Sequence, residues 1–141
     1  KKPGLDELIA YLEAQHIPMV VASSSRMASI LRHLNNWHMT DHFKALISGE
    51  QFSASKPDPE IFLTAAKALG TTPAETLVLE DSYNGVRAGA RGGFYSFGQM
   101  ALRSARARGR AGFFFKLVLA LVARGWFFLL VKWLALRAGQ R

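Results

Sequence analysis

Polar side chains with the potential for chemistry follow apolar runs at several points of this 141-residue sequence. Glu80 and Asp81 directly follow the apolar residues 77–79, and burying two adjacent carboxylates is unfavourable unless a cation lies beside them. Two carboxylates without a neighbouring histidine or cysteine suit Mg²⁺, which prefers oxygen ligands. The alternative is that Asp81 or Ser82 only caps the helix that follows.

Two further segments carry groups that suit an anion. Ser23, Ser24 and Ser25 follow a short β-branched run, and hydroxyl and backbone N–H groups at a helix N-terminus suit phosphate. The alternative is that they only cap the next helix. Lys56 precedes Pro57, which favours an extended backbone at the lysine, and a fixed ammonium there would neutralise phosphoryl oxygens. The alternative for Lys56 is an ordinary surface lysine.

Strands and helices alternate around these segments. Apolar residues at helical spacing predict helices, and short β-branched runs predict buried strands. We predict helices at 5–15, 25–35, 59–69 and 83–91, strands at 19–23, 45–48 and 76–80, and a capped turn at 72–75. This alternation favours a parallel α/β sheet covered by helices on both faces. Ligands bind beyond the carboxyl ends of the strands in such sheets, and the polar segments fall there.

Charge divides the sequence into two parts. Residues 1–93 contain nine Lys or Arg and all ten Asp and Glu, whereas residues 94–141 contain nine Lys or Arg and no acid. The chain has no cysteine, which excludes disulfides and thiolate metal sites. Residues 1–15 form a charged amphipathic pattern, so we predict no signal peptide. We therefore interpret 1–93 as an α/β core and 94–141 as a basic, apolar and helical tail.

Residues 2–93 resemble the haloacid dehalogenase-like superfamily, most closely its β-phosphoglucomutase-like phosphatases. The similarity rests on VVASSS (20–25), SASKPDPEIF (53–62) and LVLEDSYNGVRAG (77–89). These segments look like motifs II, III and IV of that family, in the same order. The resemblance implies a Rossmann-like, three-layer α/β/α core in a cytoplasmic protein. It also implies Mg²⁺-dependent phosphoryl transfer on small sugar phosphates, by a phosphatase or a phosphomutase.

The resemblance gives a role to each polar residue at this edge of the sheet. Ser23 would bind the transferring phosphoryl group and Lys56 would be the motif III lysine, and both would take part in catalysis. Asp81 would ligate Mg²⁺, with Glu80 as a second ligand or as a support for the ligands. The further candidates for lining the phosphate site are Ser24, Ser25 and Asn84.

The sequence departs from the family at the nucleophile. The family's nucleophile is the first Asp of a D-x-D-x-T/S motif at the end of the central strand of the sheet. No such motif occurs here, and the four aspartates are Asp6, Asp41, Asp58 and Asp81. We therefore expect motif I, its strand and the helical cap domain to be absent and the chain to be inactive. The two strands that flank the missing strand would expose unpaired edges or pair abnormally.

The tail has two interpretations. Residues 113–136 are apolar and long enough to span a membrane, although Arg124 near their centre opposes insertion by about 2.5–3.5 kcal/mol. The alternative function is therefore a non-catalytic α/β protein that this tail anchors to a membrane. The second interpretation, which we favour, is out-of-frame translation, because it accounts for the lack of acids. An arginine-rich patch at 103–110 suits RNA, but no recognition module accompanies it, and we expect no nucleic-acid partner.

Overall fold

The computed structural model describes residues 5–98 and 128–131. The helices and strands of this part are α1 (Leu5–Ala14), β1 (Met19–Ser23), α2 (Met27–Asn36), β2 (Ala45–Ser48), α3 (Glu60–Leu69), β3 (Thr76–Glu80), α4 (Tyr83–Arg91), β4 (Tyr95–Gly98) and β5 (Phe128–Val131). Single-turn 3₁₀ helices lie in the connections at Thr40–His42, Gly49–Gln51 and Pro73–Glu75. Every helix and strand predicted before residue 92 is present, with ends shifted by at most about two residues.

The described strands form one parallel sheet in the order β2-β1-β5-β3-β4. β1 is buried along its whole length and β3 along nearly all of it, as expected for a parallel sheet with both faces covered. The parallel α/β core predicted from the sequence is confirmed.

Helices cover both faces of this sheet. Buried residues that α1 and α2 share with one face are Leu8, Ile9, Leu12, Met19, Val21, Ile30, Leu34 and Leu77. Buried residues that α3 and α4 share with the other face are Val20, Ala22, Ile61, Phe62, Ala65, Ala66, Leu69, Val78 and Ala88. The neighbours Val20 and Val21 lie on opposite faces because side chains alternate along a strand. This packing holds the strand ends, and with them the polar residues that follow.

Local sequence signals define the two ends of α3. Asp58 Oδ1 accepts a hydrogen bond from the backbone N–H of Glu60 at 2.9 Å, and Pro59 precedes the first helical residue. Gly70 ends the helix with a φ of 77°, a left-handed conformation that glycine adopts without a steric penalty. The N-terminus of α3 therefore follows closely after Lys56.

The C-terminal part differs from the prediction. β4 lies beyond residue 93 and pairs with β3. We predicted a helical tail over 94–141. Within that range Phe128–Val131 forms the central strand β5, between β1 and β3, while residues 99–127 and 132–141 lie outside the described residues. A strand fits there because the facing backbone groups of β1 and β3 need hydrogen-bond partners. The flanking strands therefore have neither unpaired edges nor direct pairing with each other.

The predicted membrane span at 113–136 lies outside the described residues, apart from β5. Within the described part, no helix has the length and apolarity needed to cross a membrane. The division of the chain at residue 93 stays a prediction.

Candidate functional site

A cleft of about 420 Å³ lies beyond the carboxyl ends of β1 and β3. The residues that line it are Ser24, Ser55, Lys56, Ser82, Tyr83 and Asn84. Three of the residues predicted from the sequence, Ser24, Lys56 and Asn84, therefore meet in one cleft. The other lining residues were not predicted, although each is adjacent in sequence to a predicted one.

Lys56 is a buried lysine rather than a surface one, with only 8% of the residue exposed. Its Nζ donates to Glu80 Oε2 at 3.0 Å and to the carbonyl oxygen of Ala22 at 3.4 Å. The same nitrogen lies 4.3 Å from the centre of the Phe62 ring, an attractive arrangement for a cation. Lys56 is thus held between β1, β3 and α3, with its ammonium at the floor of the cleft.

Glu80 is directed into this floor, and its side chain is fully buried. Its second oxygen, Oε1, accepts hydrogen bonds from the backbone N–H groups of Asp81 and Ser82 at 2.9 and 3.0 Å. The Ser82 hydroxyl also donates to Oε1, at 3.1 Å. Both carboxylate oxygens are therefore bonded within the protein, and Glu80 acts as the anchor that positions Lys56.

Asp81 is the other carboxylate at this edge, and it is half-buried directly after β3. The described residues contain no group of three or more His, Cys, Asp or Glu that could hold a metal ion. Mg²⁺ is commonly bound through one or two carboxylates, with waters and substrate phosphate oxygens completing the shell. The donor set therefore fits Mg²⁺ that binds together with a phosphate, rather than a metal centre built from protein ligands alone.

The serine turn after β1 is well ordered by local contacts. Ser23 is buried, and its hydroxyl accepts from the N–H of Ser25 at 3.2 Å. The carbonyl oxygen of Ser25 accepts from the Ser48 hydroxyl at 2.8 Å. Ser24 is exposed between them and lines the cleft. Of the three serines, Ser24 is thus the one that faces the cleft, while Ser23 and Ser25 support the turn.

Glu50 is a further residue at this turn, and it was not among the residues predicted from the sequence. Its Oε2 accepts from the N–H of Met27, the first residue of α2, at 2.8 Å. The serines therefore do not cap this helix, which begins two residues later than predicted. Because Glu50 is 23 residues away in sequence and is brought there by the pairing of β2 with β1, no local signal could have revealed the contact.

The amino end of α4 forms the opposite wall of the cleft. The Ser82 hydroxyl accepts from the N–H of Gly85 at 3.0 Å and so caps the helix. The alternative that Ser82 is a cap is therefore correct, while Asp81 stays a metal-ligand candidate. Asn84 and Tyr83 in the first turn are exposed and line the cleft. A helix N-terminus at this position favours an anion.

Comparison with known proteins agrees with this arrangement. The family model for haloacid dehalogenase-like hydrolases matches residues 1–98. β-Phosphoglucomutase of Bacillus subtilis (strain 168) is 38% identical over 97 residues, which cover 68% of this chain and 42% of that protein. Hexitol phosphatase B of Escherichia coli (strain K12) is 36% identical over 84 residues, which cover 60% of this chain and 38% of that protein.

A crystal structure of β-phosphoglucomutase from Clostridium difficile superposes with a TM-score of 0.63 at 29% identity, covering 68% of this chain and 42% of that one. This chain thus spans less than half the length of these relatives. The matched residues 1–98 make up most of the chain and include every segment that borders the cleft. The chain therefore belongs to the haloacid dehalogenase-like hydrolase family.

Proposed function

We propose that the cleft binds the phosphoryl group of a small sugar phosphate, as part of a Mg²⁺-dependent phosphatase or phosphomutase site. The observation that carries this proposal is the convergence of Ser24, Lys56 and Asn84 on one cleft. A hydroxyl, an ammonium and an amide beside a helix N-terminus together suit a phosphate dianion. Two relatives, a β-phosphoglucomutase and a hexitol phosphatase, are named for phosphorylated carbohydrates, which supports a sugar phosphate.

Each residue of the site has a distinct part in this proposal. Lys56 neutralises phosphoryl oxygens from the floor of the cleft, and Glu80 fixes its position. Ser24 and Asn84 donate hydrogen bonds from opposite walls, while Ser23 shapes the turn. Asp81 would hold Mg²⁺, which when bound neutralises charge on the phosphate oxygens.

We further propose that this chain binds phosphate but does not turn over a phosphate ester. The family to which it belongs uses an aspartate nucleophile in a D-x-D-x-T/S motif, and this motif is absent from the sequence. No Asp or Glu occurs after residue 93, so the segment that contains the central strand β5 brings no carboxylate to the cleft. Without such a carboxylate, no aspartyl-phosphate forms.

The proposal is tested by measuring binding and turnover separately on the full chain. Titration calorimetry with inorganic phosphate should show binding that Lys56→Gln and Asn84→Asp both weaken. Asn84→Asp adds a negative charge to the cleft without altering the Lys56–Glu80 pair. Lys67→Gln, at an exposed position of α3, is the matched control and should bind like the unaltered chain. An unaltered chain that does not bind phosphate would contradict the assignment of the cleft.

Hydrolysis of glucose 6-phosphate with Mg²⁺ should stay at the background rate. Turnover that disappears in Asp81→Asn would show instead that the chain holds another nucleophile. A membrane role for residues 113–136 stays a prediction, and the residues of that range that the structure describes pair in the sheet.

A further inference from the structure

At the centre of the sheet, β1 and β3 are not adjacent, and the position between them holds one strand, β5. Leu130 of β5 is in register with Val20 of β1 on one side and with Val78 of β3 on the other. Adjacent strands are about 4.8 Å apart, so β1 and β3 are separated by about twice that distance. Of the residues of β1 and β3 that pair with β5, all except the partly buried Leu79 are at most 2% exposed: Met19–Val21 and Thr76–Val78. Their backbone groups have no access to water and need another strand as their partner.

The segment that fills this place has the composition that the position requires. Phe128–Val131 reads FLLV, an uninterrupted apolar run. Strands buried on both faces of a parallel sheet have such runs, rather than an alternation of polar and apolar residues.

The strand β5 also sets the distance between β1 and β3 at the candidate site. Val131 of β5 pairs with Val21 of β1 and Leu79 of β3. One residue further along the flanking strands, Lys56 Nζ contacts both the Ala22 carbonyl and the Glu80 carboxylate. Lys56 therefore bridges the two strands just beyond the last pairs of β5. It keeps both contacts only while β1 and β3 stay two strand spacings apart.

We propose that the central strand β5, residues 128–131, acts as the positioning element of the site. β5 holds the half of the sheet with the serine turn, β2-β1, at a fixed distance from the half with Glu80 and Asp81, β3-β4. Residues 128–131 are then part of the core that shapes the site rather than an appendage to it. The inference is independent of whether the cleft binds phosphate.

Disulfide trapping tests the position of β5, because the chain has no cysteine of its own. The pairs Val20→Cys with Leu130→Cys and Val78→Cys with Leu130→Cys place thiols on adjacent, in-register strands. The matched control is Ala45→Cys with Leu130→Cys. Ala45 is at the same level as Val20 but one strand further away, beyond the reach of a disulfide.

After mild oxidation of the full chain, the two adjacent pairs should form an intramolecular disulfide about tenfold or more faster than the control pair, because their thiols are held together at a high effective concentration. Non-reducing electrophoresis and peptide mass mapping identify the link. Equal rates for all three pairs, no link, or links only between chains would each overturn the proposal.

Hydrogen exchange gives a second test, and its first measurement uses the unaltered, cysteine-free chain. The amides of Phe128–Val131 should exchange slowly, and exchange at unprotected rates would overturn the proposal. Leu130→Pro removes a backbone donor and should reduce protection in β1 and β3 together. Leu130→Val keeps the donor and should preserve that protection. If β1 and β3 both keep their protection in Leu130→Pro, β5 does not hold the two halves of the sheet together.

Discussion

The ammonium of Lys56 lies 3.0 Å from Glu80 Oε2, and the two side chains are only 5% and 0% exposed. From the sequence, Mg²⁺ is the predicted cation that offsets the two adjacent carboxylates at the end of β3. For Glu80 the structure places a lysine in that role, while Mg²⁺ at Asp81 stays a prediction. A buried ion pair of this kind makes each partner depend on the other, because either charge alone would be desolvated without compensation.

Replacing Lys56 by methionine should therefore destabilise the fold strongly. The substitution leaves the Glu80 carboxylate buried without its cation, and breaking a buried pair in this way commonly lowers the free energy of unfolding by about 3–5 kcal/mol. Urea unfolding followed by circular dichroism measures the change. The matched control, Lys67→Met at an exposed position of α3, should change it by less than about 0.5 kcal/mol.

The double variant Lys56→Met, Glu80→Gln separates lost attraction from uncompensated charge. It removes both charges, so its free energy of unfolding should be higher than that of Lys56→Met alone. A double variant less stable than the single one, or a single variant as stable as Lys67→Met, would contradict a buried and mutually dependent pair.

Gly85 should not tolerate a side chain, although it lies inside α4. A Cβ at this position would be 2.0 Å from Glu80 Cδ and 2.1 Å from Oε2. Overpacking of this kind costs about 1–3 kcal/mol or more, which outweighs the gain of about 1 kcal/mol in helix propensity. Gly85→Ala should therefore lower the free energy of unfolding and, by moving Glu80, weaken phosphate binding.

Gly70→Ala is the comparison for this prediction. Gly70 has a φ of 77°, and in the described part of the chain no atom other than those of Gly70 and its two sequence neighbours would lie within 4 Å of an added Cβ. The substitution should therefore cost only about 1–2 kcal/mol of conformational strain. Phosphate affinity should then be unchanged. Equal effects of the two substitutions on affinity would show that Gly85 has no link to the site.

Ser82→Ala should shorten the stable part of α4. It removes the acceptor for the Gly85 N–H and one donor to Glu80 Oε1. Loss of a serine cap usually costs about 0.5–2 kcal/mol, and we expect the upper part of this range because a buried carboxylate also loses a partner. Thermal unfolding measures the change. Ser82→Thr keeps the hydroxyl and should restore most of the stability, whereas Ser53→Ala in the exposed loop should have little effect.

The elements before residue 92 could be predicted because their signals are local. Asp58-Pro59 and Gly70 define the ends of α3 to within a residue. The short apolar runs predict the buried strands β1, β2 and β3. The role of Phe128–Val131 could not be predicted in this way. It lies within a long apolar stretch whose pattern does not distinguish a helix from a buried strand. Its position depends on two strands, β1 and β3, that lie about 110 and about 50 residues earlier in the sequence.

The site was predictable where its residues lie in ordered motifs and not where distant side chains complete them. Ser24, Lys56 and Asn84 lie together in one cleft. The contact of Glu50 with Met27 arises only because β2 pairs with β1, and the enclosure of Lys56 depends on Phe62 and Glu80 from two other elements. Such contacts follow from packing, which a single sequence does not display.

Glu75 should make the stability of the fold depend on acid pH. Its carboxylate accepts from the backbone N–H and the hydroxyl of Thr72 at 3.0 and 2.8 Å, and these bonds lower the pKa of Glu75. A lowered folded-state pKa gives a contribution that is present above the unfolded pKa and lost as the pH falls through the folded one. Unfolding curves at several pH values measure the free energy of unfolding of the unaltered chain and of Glu75→Gln. The difference in favour of the unaltered chain should decrease as the pH falls. A constant difference between pH 7 and pH 3 would contradict this assignment.

Glu50→Gln should change stability and phosphate affinity in opposite directions. The charge of Glu50 stabilises the N-terminus of α2 through the N–H of Met27, and its loss should cost about 0.3–1 kcal/mol of unfolding free energy. The same charge lies beside the serine turn and repels an anion bound at Ser24. Removing it should therefore raise the affinity for inorganic phosphate by a few-fold at low ionic strength, and added salt should reduce the gain.

Calorimetry measures the phosphate affinity of Glu50→Gln and of a control variant, Glu75→Gln. Glu75 is a carboxylate before the amino end of β3, at the opposite edge of the sheet. If Glu50→Gln binds phosphate no better than the control, the anion does not lie at the serine turn.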